Sequence, residues 1–275
     1  MRVFHSGRVV VLLVPVLTCA AVAAVSAPAH ARTSVALSGV VTPAITGFPT
    51  TPQNVRLTME GRVVGDDIDD QYPATTRRIV LWFTHGARVN GSWFPSCRAR
   101  LLAALRGAPR ACPRGSKIGS GWAFGTAISV TARLRMDVYN SRGGHSMLFY
   151  FSADNPVLIR ELIDAPFDQL RGGRYGFRLT LPVPDGLQEL TDGMVTSLRQ
   201  FRATVGGMTA TRRVHGRAER RGFIEAMTCP PGALVVVRGE FSFRTIAPVT
   251  SDAFLGCGQA PPFPPGFPPS VTGSA

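Results

Sequence analysis

From Ile128 to Val138 apolar and polar residues alternate without a break. Ile128, Val130, Ala132, Leu134, Met136 and Val138 fall on one side, and Ser129, Thr131, Arg133, Arg135 and Asp137 on the other. A helix would scatter these residues round its axis. An extended strand separates them, because its side chains point to opposite faces in turn. The same period recurs at Val55, Leu57, Met59 and Val63, at Tyr175, Phe177, Leu179 and Leu181, and at Phe201, Ala203 and Val205. Residues 235–246 are apolar and then alternate, with Phe241 and Phe243 on one side. Asn140 to Gly144 reads as a turn that leads into a partner strand at Met147 to Phe151. One segment reads as a helix: Ser96 caps Arg98 to Arg106, and Leu101, Leu102 and Leu105 face inward.

About eight to ten short strands separated by turn residues predict an all-β fold, either an antiparallel sandwich or a partly closed barrel with one short helix. Residues 54–258 fit a single domain of that kind. Residues 32–53, rich in Ser, Thr, Pro and small apolar side chains, read as a loose lead-in. The tail, residues 259–275, carries too much Pro and Gly to pack and is expected to be disordered.

The first 31 residues have the order of a secretory signal peptide. Arg2 and Arg8 come first, then an apolar run from Val9 to Val25, then Ala29-His30-Ala31 at the cut. A membrane anchor is the competing reading, but the run is short for a span and contains Pro15. No Arg-Arg pair precedes the run, which favours general secretion over the twin-arginine route. Cys19 lies inside the discarded core. Four cysteines remain, Cys97, Cys112, Cys229 and Cys257, and an even count outside the cytoplasm predicts disulfides. Of the three pairings, Cys97–Cys112 with Cys229–Cys257 closes two local loops and is the one expected. A zinc site does not fit, since no C-x-x-C and no histidine at ligand spacing occurs.

The formal charge is +13, and Lys117 is the only lysine among 30 basic residues. That ratio points to GC-rich codon usage rather than to nucleic acid. For an exported cation the available partner is anionic cell-envelope polymer or lipid.

The stretch from Cys112 to Gly125, CPRGSKIGSGWAFG, raises the question of a phosphate loop. That loop needs its lysine after the last glycine and a helix beyond. Here Lys117 precedes Gly119 and a strand follows, so neither nucleotide nor cofactor is expected. The stretch reads instead as a disulfide-anchored turn with an exposed lysine, Trp122 and Phe124 packing on the core. A C-P-x-G turn appears here and again at Cys229 to Gly232. Taken with Cys97, with Cys112 to Ala123 and with the Tyr175 to Pro184 strand, it resembles uncharacterised secreted proteins of actinobacteria. The resemblance covers most of the mature chain. It implies a compartment and an architecture, and no catalytic residues.

Other candidates are weaker. Asp66, Asp67, Asp69 and Asp70 crowd one loop and could supply oxygens to calcium, although no EF-hand pattern is present. A solvated acidic loop is the competing reading. His85, His145 and His215 are far apart, and no G-x-S-x-G elbow marks a nucleophile. Glu161, Asp164 and Glu225 could form a glycosidase pair only through folding. In strand geometry Arg213, His215, Arg217, Glu219 and Arg221 share a face, so that Arg213, Arg217 and Arg221 form a candidate polyanion-binding ribbon. A charged edge strand is the alternative. The expected function is that of a secreted, non-enzymatic β-domain associated with anionic envelope. The alternatives are an extracellular hydrolase, or a carbohydrate-binding module using Trp82, Trp93 or Trp122. Cleavage after Ala31 is checked by N-terminal sequencing of exported protein, which is expected to begin at Arg32.

Overall fold

The computed structural model describes residues 33–43, 51–65, 74–127, 130–189, 194–226 and 234–256. Their elements, in chain order, begin with strands β1 (Ser34–Thr42), β2 (Gln53–Val64), β3 (Thr76–Thr84) and β4 (Ala87–Val89), followed by helix α1 (Ala99–Ala104). Next come β5 (Lys117–Ala127), β6 (Val130–Ser141), β7 (Ser146–Ala153), β8 (Ile159–Gln169), β9 (Tyr175–Pro182) and helix α2 (Asp185–Gln188). The last are β10 (Ser197–Gly206), β11 (Thr209–Val214), β12 (Arg217–Gly222), β13 (Ile224–Ala226), β14 (Leu234–Phe243) and β15 (Val249–Gly256).

The fold is all-β. Among the described residues one antiparallel sheet of 13 strands runs β15-β14-β3-β9-β8-β7-β6-β5-β10-β2-β13-β4, and β1 also pairs with β2. β11 and β12 form a separate hairpin. The large sheet curls until β1 comes against β15. There the Leu37 N–H donates to Ser251 Oγ at 3.1 Å, and Leu255 crowds Gly39. No ladder joins these two strands among the described residues, so the sheet is curled but is not a closed barrel.

The alternation read from the sequence sets which face turns inward. Val55, Met59 and Val63 of β2, Leu134, Met136 and Val138 of β6, and Met147, Phe149 and Phe151 of β7 belong to one buried cluster. Each fully buried side chain of this size contributes roughly 1.5–3 kcal/mol relative to exposure. A second, smaller cluster lies on the outer face of β6–β8. Leu102 of α1 packs there with Cys97, Tyr139, Leu148 and Tyr150. The Cys97–Cys112 disulfide, with its Cα atoms 4.8 Å apart, holds this covering loop closed. Closing a 15-residue loop is worth about 3 kcal/mol in the chain-entropy account.

Several segments differ from the sequence reading, each for a physical reason. Residues 34–42, expected as loose lead-in, form β1, because β2 offers them a continuous ladder from Val64 back to Arg56. α1 is shorter than expected, and Ser96 does not cap it. Ser96 Oγ accepts from the Gly143 N–H instead, and of the three leucines only Leu102 is buried. A second short helix, α2, was not anticipated. Asn140, read as a turn residue, is the fully buried end of β6. Its Nδ2 donates to the carbonyls of Gly91, Phe94 and Pro95, and its backbone carbonyl accepts from the Cys97 N–H at 2.8 Å. It thereby pins the segment that carries the disulfide.

The glycine-rich stretch is itself a strand, not a turn. From Lys117 it forms β5, paired with β6 on one side and β10 on the other. A Cβ on Gly121 would lie 2.0 Å from the Arg202 carbonyl oxygen, and one on Gly119 2.3 Å from that of Thr204. These glycines allow the two strands to approach closely. Lys117 is not a loop lysine: its Nζ lies 2.7 Å from Asp137 Oδ1 of the neighbouring strand. Trp122 and Phe124 face outward, not onto the core, because their cross-strand partners are Arg135 and Arg133 while the buried Leu134 opposes Ala123.

Substituting Gly121→Ala is expected to destabilise the protein by about 1–3 kcal/mol, because backbone must move to admit the methyl. Ser120→Ala, one position away on the outer face, should cost within ~0.5 kcal/mol. Urea unfolding of both variants measures the difference.

Candidate functional site

The inward rows of the curled sheet do not meet in the middle. They leave a cavity of about 200 Å³. Its wall is built from Leu57 and Met59 of β2, Ile79, Leu81 and Phe83 of β3, Leu134 and Met136 of β6, Phe149 and Phe151 of β7, and Phe201, Ala203 and Val205 of β10, among others. Along β3 the lining runs from Thr76 to Phe83, about 24 Å at the ~3.4 Å rise of an extended chain. The cavity is therefore long for its volume. Leu187 of α2 and Val183 line it near the Thr76 end of β3, and Val89 and Ile224 near the Phe83 end. Leu57, Phe83, Leu181 and Phe201 line this space and are only half-buried.

No titratable side chain lines the cavity among the described residues. Its polar groups are the hydroxyls of Thr76, Thr196 and Ser197. Thr196 Oγ1 donates to the Leu187 carbonyl. Thr76 Oγ1 is buried and has no hydrogen-bond partner among the described residues. Glu161 of β8 approaches from the same end. It opposes the lining residue Phe151, and its carboxyl lies against Gly186 of α2. Burial pushes the Glu161 carboxyl above its ordinary value.

The sequence-predicted site residues are not brought together. Glu225 of β13 and Glu161 of β8 are separated by five strands in the sheet. Asp164 pairs with Arg142 on the opposite face of β8 from Glu161. Glu225 is a structural anion. It is buried, and it accepts from Arg88 Nη2 at 2.6 Å, Asn90 Nδ2 at 2.9 Å and the Gly222 N–H at 2.8 Å. Burial alone would raise its carboxyl, but these donors and the Arg88 charge outweigh burial and hold it below the ordinary 4.5. His85 bonds the Gly173 carbonyl at 3.1 Å, and His215 occupies a turn. No group of three His, Cys, Asp or Glu that could hold a metal occurs among the described residues. Asp66, Asp67, Asp69 and Asp70 lie outside the described residues, as do Cys229 and Cys257 and residues 1–31.

The cationic ribbon is corrected. His215 and Gly216 both have positive φ, 49° and 80°, and turn the chain back on itself. β11 and β12 therefore pair as a hairpin, with Arg213 opposite Ala218 and Val214 opposite Arg217. Arg213 lies on the face opposite to Arg217 and Arg221, so the three do not form a ribbon. Arg221 packs over the Trp93 ring at 4.6 Å and pairs with Glu219, and Arg212 reaches the same ring at 5.7 Å. The signal was legible: two positive-φ positions between short polar strands make a tight hairpin, and His-Gly can supply them.

Trp93 and Trp122 are not open platforms. Trp93 is covered by these guanidinium groups, and Arg133 lies over both Trp122 and Phe124 at 5.8 and 5.7 Å. No helix among the described residues is long and apolar enough to cross a membrane. Comparison with known proteins finds no matching family model, no matching curated protein and no matching solved structure.

The Glu225 cluster makes a pH prediction. A depressed carboxyl contributes stability above its unfolded value and loses it as pH falls through the folded one. The wild type should therefore lose stability below about pH 4.5. Glu225→Gln should be less stable at neutral pH by ~2–3 kcal/mol, with a gap that narrows on acidification. Denaturant unfolding of both proteins across the acid range checks this.

Proposed function

We propose that this chain is an exported, non-enzymatic binding protein that carries an apolar, chain-like ligand inside its curled sheet. The observation that carries the reading is the long cavity of about 200 Å³ with its hydrocarbon wall. A well-packed interior leaves few voids larger than a water molecule. An apolar cavity of roughly 150 Å³ is enough to stay dry and take up benzene. This space is larger and elongated, which suits an acyl or other hydrocarbon chain better than a compact ring. Thr76 Oγ1 and the Glu161 carboxyl stand at one end, where a polar terminus would be met. Export is supported by the Arg2–Ala31 segment of the sequence and is compatible with the disulfide.

The apolar lining also argues against the rival hydrolase. Hydrolysis needs a nucleophile, a base and an oriented water, and the wall holds only hydroxyls among the described residues. A sugar site would need an uncovered ring; Trp93 and Trp122 carry arginines, and of the three tryptophans only Trp82 is left for that role.

The test is titration with N-phenyl-1-naphthylamine, an apolar dye whose fluorescence rises on leaving water, followed by competition with alkanols of increasing length. Saturable one-to-one binding is expected, tightening with chain length up to a limit set by the cavity. Ala203→Phe, which places a ring into the space, should weaken dye binding by at least tenfold while the far-ultraviolet circular dichroism is unchanged. Binding that is unaffected by that substitution, or no binding by folded protein, would overturn the reading.

A further inference from the structure

The outer face of the sheet carries a second feature, independent of the cavity. Antiparallel register aligns side chains of neighbouring strands in rows, and two adjacent rows cross β2, β10, β5 and β6. One row reads Arg62, Gln200, Phe124, Arg133. The next reads Glu60, Arg202, Trp122, Arg135. With strands about 4.8 Å apart, the arginines stand on both sides of the two rings within roughly 14 Å. Arg62, Arg133, Arg135 and Arg202 are exposed, and both rings are half-buried. Two further apolar side chains are exposed on the same face, Val40 at 42% and Val64 at 40%.

The opposing charge is small. Glu60 is engaged by Gln200 Nε2 at 2.8 Å. Asp137, in the following row, is held by Lys117 at 2.7 Å and Arg135 at 3.3 Å. The contrast with β3, β9 and β14 is plain. There Arg238 is paired with Asp252, Arg178 with Asp168 and Arg78 with Glu240, so the outward charges neutralise one another.

We infer that the Arg62–Arg133–Arg135–Arg202 face, with Trp122 and Phe124 at its centre, docks on an anionic lipid bilayer. Guanidinium forks match phosphate oxygens. Aromatic rings settle at the boundary between headgroups and acyl chains, where one edge is wet and the other apolar. A soluble polyanion would reward the arginines but would leave the exposed Val40 and Val64 without an apolar partner. The surface thus keeps the expected attraction to anionic envelope but moves it from the β11–β12 hairpin to the broad sheet face.

The experiment is cosedimentation of the mature chain with phosphatidylglycerol-containing vesicles and with pure phosphatidylcholine vesicles, at low and high salt. The wild type should bind the anionic vesicles at low salt, release them at high salt and ignore the neutral ones. Each arginine at such a surface is worth about a fivefold change in affinity, so Arg133→Ser/Arg135→Ser/Arg202→Ser should bind on the order of a hundredfold more weakly. Arg202→Glu alone, an exposed single change, should already weaken binding several-fold if the triple variant fails to fold. Arg213→Ser/Arg217→Ser/Arg221→Ser should bind as the wild type does. Undiminished binding by the Arg202→Glu variant, or loss of binding in the hairpin variant, would overturn the assignment. So would binding to heparin, a polyanion without a bilayer, that equals binding to vesicles.

Discussion

The close approach of β5 to β10 governs the rest of the molecule. A sheet with one apolar face must either stack on a second layer or curl on itself to remove that face from water. At Gly119 and Gly121 the backbone carbonyls of β10 occupy the space a side chain would need. Only glycine admits that geometry without displacing a strand. On one side of this contact β10 leads to β2 and β1; on the other, β5 leads through β6–β9 and β3 to β15. The two arms meet where Leu37 and Gly39 face Ser251 and Leu255. The cavity is what remains inside when large side chains line a sheet bent in this way.

Much of this fold was legible in period-2 alternation. Where a strand has one buried and one wet face, as β2, β6 and β9 do, the pattern assigns both its existence and its inward side chains. It was silent where other constraints ruled. β1 mixes Ser, Thr and Gly with mostly small apolar side chains and so reads as linker, and its order comes from the ladder that β2 provides. β5 is so rich in glycine that its sequence reads as a turn. Its strand identity depends on pairing with β6, the next strand along the chain, and with β10, distant in sequence. Asn140 has the chemistry of a turn residue, yet its Nδ2 finds three carbonyls in the 91–95 segment, and these bonds hold it buried although its Oδ1 has no partner among the described residues.

The candidate sites were less legible than the fold, for a related reason. A cavity is a property of many side chains at once, and no spacing in the sequence marks it. The basic face is likewise assembled across four strands: β2, β10 and β6 each give it one or two arginines that look unremarkable alone, and β5 gives it the rings. Local charge density pointed instead to Thr211–Gly222, where arginines are dense along the chain but are folded into a hairpin. There two of them cover Trp93 and one pairs with Glu219. Clustering in sequence and clustering in space are separate quantities in a sheet, because neighbours across strands are set by register.

The central claim is that the interior of the curled sheet receives a hydrocarbon chain. Methionine methyl groups report on it directly, because Met59, Met136 and Met147 line the cavity while Met208 packs against the core elsewhere. Methyl resonances of protein labelled at methionine, recorded while decanol is added, test the claim. The account predicts that the Met59, Met136 and Met147 methyls shift together with one saturation curve and show intermolecular contacts to the alkyl protons, with Met208 unmoved. Saturating addition of the alkanol that leaves those three resonances in place, in protein that remains folded, would contradict it.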